Sequence, residues 1–314
     1  MVKFGKNGRV IGQRDVINRK LDHDIKQALN RIAEPIEMLV DYGTYIPDIV
    51  KANSEFNEYD ISFVTLFSEF LTSLDSIVIL IQKGSGDAIK PQLRTMFEQK
   101  LSIERMIHLG IRKGSLAYQV TSAKKRIKVY KQLDPNTQQG IAFRKKLGEL
   151  AVLIPNKSNN IEIAGLEKLL AEEPFKEVNE EYERYVKAKN KKNPNWYNLY
   201  SDDKITTLEQ LAVELDRQSQ YELLYRDLSS YVHGNGSIGR LVRYSEGISL
   251  NPTIRQFTNI PTLAIHTIML VYELYRYILE EFSESEGKAF VDWYDMVLND
   301  KVVNISNTTF NLTY

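Results

Sequence analysis

Apolar residues recur at helical spacing along most of the chain, and this periodicity restricts the folds available to it. A spacing of three to four residues places apolar side chains on one face of an α-helix, which must pack against a neighbour. Two segments, 61–81 and 260–279, are long and strongly apolar. Each carries charged residues, such as Asp75 and Glu273, that would be costly in lipid. We therefore predict an all-α helical bundle with these two segments as buried helices.

Two short segments depart from the helical pattern. Residues 240–250 alternate around Ser245-Glu246-Gly247, which predicts a small β-hairpin. Residues 302–312 near the C-terminus are predicted to form a strand, since β-branched residues are frequent there.

Charge and cysteine content limit the classes of function. Lysine and arginine together number 41, as do aspartate and glutamate, so any nucleic-acid site would have to be a local basic patch. The chain has no cysteine, which excludes disulfides and thiolate chemistry and fits a reducing cytoplasm. The polar, basic N-terminus lacks the apolar core of a secretory signal. We expect a cytoplasmic protein without a membrane segment.

The candidate catalytic residues are Arg226, Asp227 and His233, near the end of a helix predicted over residues 218–232. Two helical turns separate the arginine from the histidine, so both project from nearly the same face. A guanidinium can clamp a phosphate, and an imidazole can exchange protons near neutral pH. The alternative is structural: Arg226 pairs with Glu222, and His233 stabilises the helix C-terminus.

A second cation, Arg94, lies four residues before Glu98 on a predicted helix. This spacing lets the two side chains form an ion pair that holds the helical core together. Alternatively, Arg94 points into the same cleft as Arg226 and binds substrate. The sequence leaves both alternatives open.

Residues 113–146 are rich in basic side chains interleaved with tyrosines. Such a stretch can follow an RNA backbone while tyrosines stack on bases, or it can be a solvated helix face. The candidate substrate-binding residues in it are Lys124, Lys125, Arg126 and Lys128.

No metal site or cofactor is predicted. The four histidines are His23, His108, His233 and His266, and they lie far apart without the spacing of a zinc motif. His266 falls in an apolar helix and is predicted to be a core histidine with one hydrogen bond.

The spacing of Arg226 and His233, with polar Asp227 directly after the arginine, resembles the RX4–6H motif of the HEPN superfamily of all-α proteins. The wider context is similar to a bacterial domain family of unknown function related to that superfamily. The segments that carry this second resemblance are residues 93–98, residues 196–200 together with 207–212, and residues 221–233.

The resemblance implies a HEPN-like helical domain over residues 56–282, with an N-terminal helical extension at 1–55 and an acidic C-terminal segment and tail at 283–314. It also implies a homodimer that places two Arg226/His233 pairs around one cleft. Active relatives cut RNA without metal and leave a 2′,3′-cyclic phosphate. We expect an endoribonuclease of a toxin or phage-defence system, with RNA as substrate and an antitoxin or defence protein as partner. The alternative is a non-catalytic binding or dimerisation module, or a regulatory partner.

Overall fold

The fold is all-α, as predicted, and is described here from a computed structural model. The structure describes residues 3–4, 10–11, 21–189, 193–201, 204–226, 228, 241–244, 247–250 and 255–310. The helices in this part of the chain are α1 (His23–Gly43), α2 (Ile46–Ala52), α3 (Ile61–Gln82), α4 (Gly86–His108), α5 (Ile111–Leu133), α6 (Gln138–Leu147), α7 (Asn160–Leu169), α8 (Phe175–Lys189), α9 (Leu208–Glu214), α10 (Gln218–Gln220), α11 (Ile260–Phe282), α12 (Glu284–Val297) and α13 (Asn299–Ser306).

The chain forms two compact units that are each assembled from separate stretches of sequence. Unit 1 contains Met1–Glu55, Phe67–Lys100 and Ser219–Tyr314. Unit 2 contains Phe56–Leu66 and Leu101–Gln218.

Helix α11 is the centre of unit 1 and packs against α1, α2, α12 and α13. It corresponds to the second apolar segment of the sequence, and most of its apolar side chains are buried as predicted, with Met269 exposed. The hydroxyl of Tyr275 on α11 donates a hydrogen bond to the carbonyl of Leu39 on α1 at 3.0 Å. Gly43 permits this close approach of the two helices, because a Cβ atom there would collide with the Tyr275 hydroxyl.

Helix α5 is the centre of unit 2 and packs against α6, α7 and α8. The loop after α5 is held by the buried carboxylate of Asp134. This carboxylate accepts hydrogen bonds from the backbone N–H of Asn136 at 2.8 Å, the backbone N–H of Asn159 at 2.7 Å and the hydroxyl of Ser158 at 2.9 Å. These hydrogen bonds fix the path of the chain from α5 toward α7.

The β-structure is limited to short antiparallel pairs in the part of the chain that the structure describes. Strands β1 (Lys3–Phe4) and β2 (Val10–Ile11) pair near the N-terminus. Strands β3 (Leu241–Tyr244) and β4 (Gly247–Leu250) pair where the sequence predicts a hairpin, with Leu241 opposite Leu250.

The prediction of a strand over residues 302–312 was wrong. Residues 299–306 form α13, which buries Ile305, while Leu298 just before it is also buried. These two residues are seven apart and therefore lie on one helical face, so packing overrides the strand preference of the two valines between them. Residues 311–314 lie outside the described part of the chain.

One helical stretch, Glu58–Gln82, is long and apolar enough to cross a membrane by length and composition. The core helix of a folded domain passes the same test. Within this stretch Phe67, Phe70 and Leu74 of α3 are fully buried, whereas Ile61 and Ile79 are half exposed, so the helix is buried on one side, which agrees in part with the prediction of a buried helix.

Candidate functional site

Arg226 ends a π-helical segment, Tyr221–Arg226, that directly follows α10 in unit 1. The sequence predicts regular α-helix here, so the extra residue in the turn is a departure from that prediction. In a π-helix the backbone hydrogen bonds join residues five apart, which brings Tyr221 and Arg226 onto adjacent turns of one face. Asp227 and His233, the other candidate catalytic residues, lie outside the described residues.

Two guanidinium groups and two tyrosine rings form a row of contacts at this segment, in the order Arg226, Tyr221, Tyr225 and Arg94. The guanidinium of Arg226 lies over the ring of Tyr221 at 5.8 Å. The rings of Tyr221 and Tyr225 stack with centroids 5.0 Å apart and planes inclined by 22°. On the far side, the guanidinium of Arg94 lies 4.4 Å from the centroid of Tyr225. The structure therefore connects the two candidate arginines, Arg94 and Arg226, through a stacked tyrosine pair.

At the Arg226 end of this row there is an ion pair with Glu222. An Arg226 nitrogen lies 3.0 Å from a carboxylate oxygen of Glu222, as the structural alternative from the sequence anticipates. The Arg226 side chain is nevertheless 57% exposed, and that of Glu222 is 43% exposed. Exposed pairs of this kind contribute little free energy, about 1 kcal/mol or less. The guanidinium therefore stays accessible to an anion that competes with Glu222.

The Arg94 end of this row is better buried than the Arg226 end. The Arg94 side chain is 18% exposed, lies 3.2 Å from a carboxylate oxygen of Glu98 and donates a 2.6 Å hydrogen bond to the hydroxyl of Tyr225. Burial raises the pKa of Glu98, while Arg94 and a hydrogen bond from Tyr225 act in the opposite direction. Glu98 and Tyr225 therefore hold the Arg94 side chain, and Tyr225 belongs to the segment that carries Arg226. The ion pair with Glu98 is the one that the structural alternative from the sequence predicts.

A buried polar cluster that the sequence analysis missed lies at the start of the same segment. The ammonium of Lys100 on α4 is fully buried, 3.2 Å from the side-chain oxygen of Gln220 and 3.6 Å from a carboxylate oxygen of Glu273 on α11. Gln220 also donates a hydrogen bond to Glu273. A signal was present in the sequence, because Lys100 falls seven residues after Leu93, on the apolar stripe of α4. A lysine in such a stripe requires a polar partner in the core.

The candidate basic patch belongs to unit 2, where its side chains contact α8 and the segment that follows it. Lys124 lies 2.5 Å from the carboxylate of Glu183. The ammonium groups of Lys125 and Lys128 donate hydrogen bonds to the side-chain oxygens of Asn195 and Asn193, at 3.4 and 3.3 Å, and Arg126 donates to the Tyr130 hydroxyl at 3.2 Å. One of the four charges is therefore neutralised by a carboxylate, while the others are bound to uncharged groups.

No cluster of three or more histidine, aspartate or glutamate side chains that could hold a metal ion occurs in the described part of the chain. His23 is exposed at the start of α1 and hydrogen-bonds Gln27 at 2.8 Å. His266 on α11 is half-buried and lines a pocket, and no hydrogen bond joins it to another described residue, contrary to the prediction of one hydrogen bond.

Comparison with known protein families identifies a family of unknown function. The model of a family of unknown function, DUF5677, matches residues 60–248, a range that includes Arg94, the basic patch and the positions of Arg226, Asp227 and His233. No curated protein and no solved structure matches the chain.

Proposed function

The chain belongs to the DUF5677 family, whose function is unknown, and from that premise we propose that it is a metal-independent endoribonuclease of the HEPN type. The proposal rests on the resemblance of Arg226, Asp227 and His233 to the RX4–6H motif. Its supporting observation is the accessible Arg226 guanidinium, held at the end of the π-helical segment by Tyr221. π-Helical turns are rare and occur frequently at functional sites.

In the proposed reaction, His233 acts as the general acid or base and Arg226 as the phosphate clamp. The imidazole takes the proton of a ribose 2′-hydroxyl, and the 2′-oxygen forms a bond to phosphorus. The bond from phosphorus to the 5′-oxygen breaks, and that oxygen takes a proton from water or from a second imidazole. The guanidinium binds the phosphate oxygens as negative charge develops on them. Asp227 orients one of these groups, and no cofactor is needed.

Arg94 has a different place in this proposal from the one that the sequence suggested. Its ion pair with Glu98 and its hydrogen bond to Tyr225 make it a support for the segment that carries Arg226. Direct substrate contact by Arg94 would require this guanidinium to give up partners in a largely buried setting, which costs free energy. Substrate binding is therefore assigned to Arg226 and to the basic patch.

The biological setting is also part of the proposal. RNA is the substrate, two chains form a homodimer with two catalytic pairs, and an antitoxin or another defence protein restrains the enzyme as in toxin or abortive-infection systems. A cytoplasmic location fits the absence of cysteine and the supply of RNA.

The experiment is an RNA cleavage assay with the purified full-length protein in excess EDTA. We expect wild-type protein to cut labelled single-stranded RNA and leave a 2′,3′-cyclic phosphate. His233→Ala should reduce the rate by about a hundredfold or more, the usual contribution of a general acid or base. The matched control is His23→Ala, an exposed histidine outside the family match, which should cut RNA at the wild-type rate. Equal cleavage by His233→Ala and wild type would exclude the proposed role of this histidine.

A non-catalytic dimerisation or binding module is the second candidate. The observation in its favour is that both candidate arginines have carboxylate partners, Glu98 for Arg94 and Glu222 for Arg226. If this candidate is correct, Arg226→Ala lowers the melting temperature and the wild-type protein leaves RNA uncut. The ribonuclease proposal instead expects Arg226→Ala to melt close to wild type, since the ion pair is exposed, and to lose cleavage.

A further inference from the structure

A pocket of about 510 Å³ lies in unit 1, where the start of α11 faces the residues that follow α13. Pro261, Thr262 and His266 line it from α11, and Thr308 and Phe310 line it from the opposite side. This volume falls within the range of small-molecule sites, roughly 300–1,000 Å³. Arg226 is not among the described residues that line this pocket.

The polar groups of the pocket have unused hydrogen-bonding capacity. The imidazole of His266 is half-buried and has no hydrogen bond to another described residue. Burial lowers its pKa, so the ring is neutral at pH 7 and presents one donor and one acceptor. The hydroxyls of Ser306 and Thr308 already donate to backbone carbonyls, at 3.2 and 2.8 Å, which leaves their lone pairs as acceptors. Donors and acceptors therefore both line this pocket.

The rest of the lining is apolar and includes an aromatic ring. Phe310 packs edge-to-face against buried Phe257 with ring centroids 5.1 Å apart, and this contact holds its ring at the pocket wall. Pro261 and Ile265 add aliphatic surface. Among the residues that the structure describes, no lysine, arginine, aspartate or glutamate lines the pocket. A ligand recognised here is thus an uncharged ring with a hydrogen-bonding edge.

We propose that this pocket binds a nucleobase or nucleoside, whose planar ring packs on Phe310 while its polar edge hydrogen-bonds with His266 and Thr262. A base has alternating donors and acceptors on its edge, which suits a neutral imidazole and hydroxyls, and an apolar face, which suits a phenyl ring. A sugar alone offers no planar ring, and a phosphate alone would find no cationic side chain. The site is independent of the proposed ribonuclease activity.

The test is a histidine NMR titration of the full-length protein in a phosphate-free buffer. The probes are adenosine, guanosine, cytidine and uridine, with ribose and inorganic phosphate as separate arms. His266→Gln assigns the His266 resonance. We expect at least one nucleoside to shift that resonance saturably. Thr262→Val, which removes one hydroxyl but keeps the shape, should weaken binding about three- to tenfold, and Thr65→Val on an exposed face of α3 should leave it unchanged.

Three results would overturn the proposal. In the first, none of the four nucleosides shifts the His266 resonance. In the second, ribose or phosphate alone reproduces the shift, which would assign the pocket to another ligand class. In the third, Thr262→Val binds as tightly as wild type. The titration needs no RNA cleavage, so its outcome and that of the ribonuclease assay are separate.

Discussion

The exposed ion pair between Arg226 and Glu222 affects how readily the Arg226 guanidinium binds a phosphate. A carboxylate oxygen of Glu222 lies 3.0 Å from one nitrogen of the Arg226 guanidinium and so takes up part of its capacity to bind anions. Under the ribonuclease proposal, Glu222 therefore competes with RNA for Arg226 and lowers the apparent affinity of this guanidinium for anions. The competition is weak, because both side chains are exposed to solvent.

We predict that Glu222→Gln increases the affinity for a single-stranded RNA about two- to fivefold at low salt, which corresponds to removal of one exposed ion pair. The measurement is fluorescence anisotropy in the His233→Ala background, which prevents cleavage. The matched control is Glu280→Gln, since Glu280 pairs with Arg276 at the same spacing and a similar exposure. Unchanged affinity for Glu222→Gln, or an equal gain for Glu280→Gln, would contradict a specific role of Arg226.

Residue roles at this site were only partly predictable from the sequence. The spacing of Arg94 and Glu98, and of Glu222 and Arg226, indicates both ion pairs, because partners four residues apart meet on any helix. The stack of Arg94 on Tyr225 joins positions 131 residues apart, and no local pattern encodes it.

At the scale of elements, the strongly apolar helices were predictable and the exceptions depended on packing. Helix α11 follows from its own composition, and the β3–β4 hairpin from alternation around a Ser-Glu-Gly turn. The π-helical form of Tyr221–Arg226 was not predicted. Tyr225 and Gln220 contact Arg94 and Lys100, which are more than a hundred residues away in sequence, and no local pattern encodes such contacts. The wrong prediction of a strand over residues 302–312 has the same cause, because burial of Ile305 favours a helix in a segment that contains two valines.

The loop that joins α5 to α6 and α7 gives a prediction about pH. Hydrogen bonds from two backbone N–H groups, and then from Ser158, hold the pKa of Asp134 below its ordinary value. A carboxyl with a depressed pKa in the folded state stabilises the protein above its unfolded pKa, near 3.9, and the stabilisation is lost as pH falls through the folded pKa. Asp134→Asn keeps the shape but replaces an acceptor oxygen with a donor.

We expect Asp134→Asn to lower the melting temperature at pH 7. The gap to wild type should begin to shrink below about pH 4, where the unfolded carboxyl protonates, and should close once pH falls through the depressed pKa of the folded state. Melting curves from pH 7 to pH 3 measure this. Asp22→Asn serves as the control, because Asp22 precedes α1 without a side-chain capping hydrogen bond. A gap that is equally wide at pH 3 and pH 7 would show that Asp134 acts by shape and not by charge.

At the scale of the whole molecule, acidic and basic residues are equal in number, so under the ribonuclease proposal RNA affinity would depend on a few local cations. Lys124 is neutralised by Glu183, whereas Lys128 is bound to the uncharged side chain of Asn193. These two lysines lie four residues apart on α5 and differ both in their partners and in exposure, since Lys124 is partly buried and Lys128 is exposed. Their comparison shows whether the basic patch contacts the RNA backbone.

We predict that Lys128→Ala reduces the salt dependence of RNA binding more than Lys124→Ala does. Each phosphate contact on a single strand contributes roughly 0.7 to the slope of log K against log salt concentration, so loss of an uncompensated charge should lower the slope by about that amount. Lys124→Ala should change it less, because Glu183 already cancels that charge locally. Anisotropy titrations between low and moderate salt in the His233→Ala background provide the slopes. Identical slopes for both variants and their parent would place the RNA-binding surface away from α5 and leave Arg226 as the main cation in the proposal.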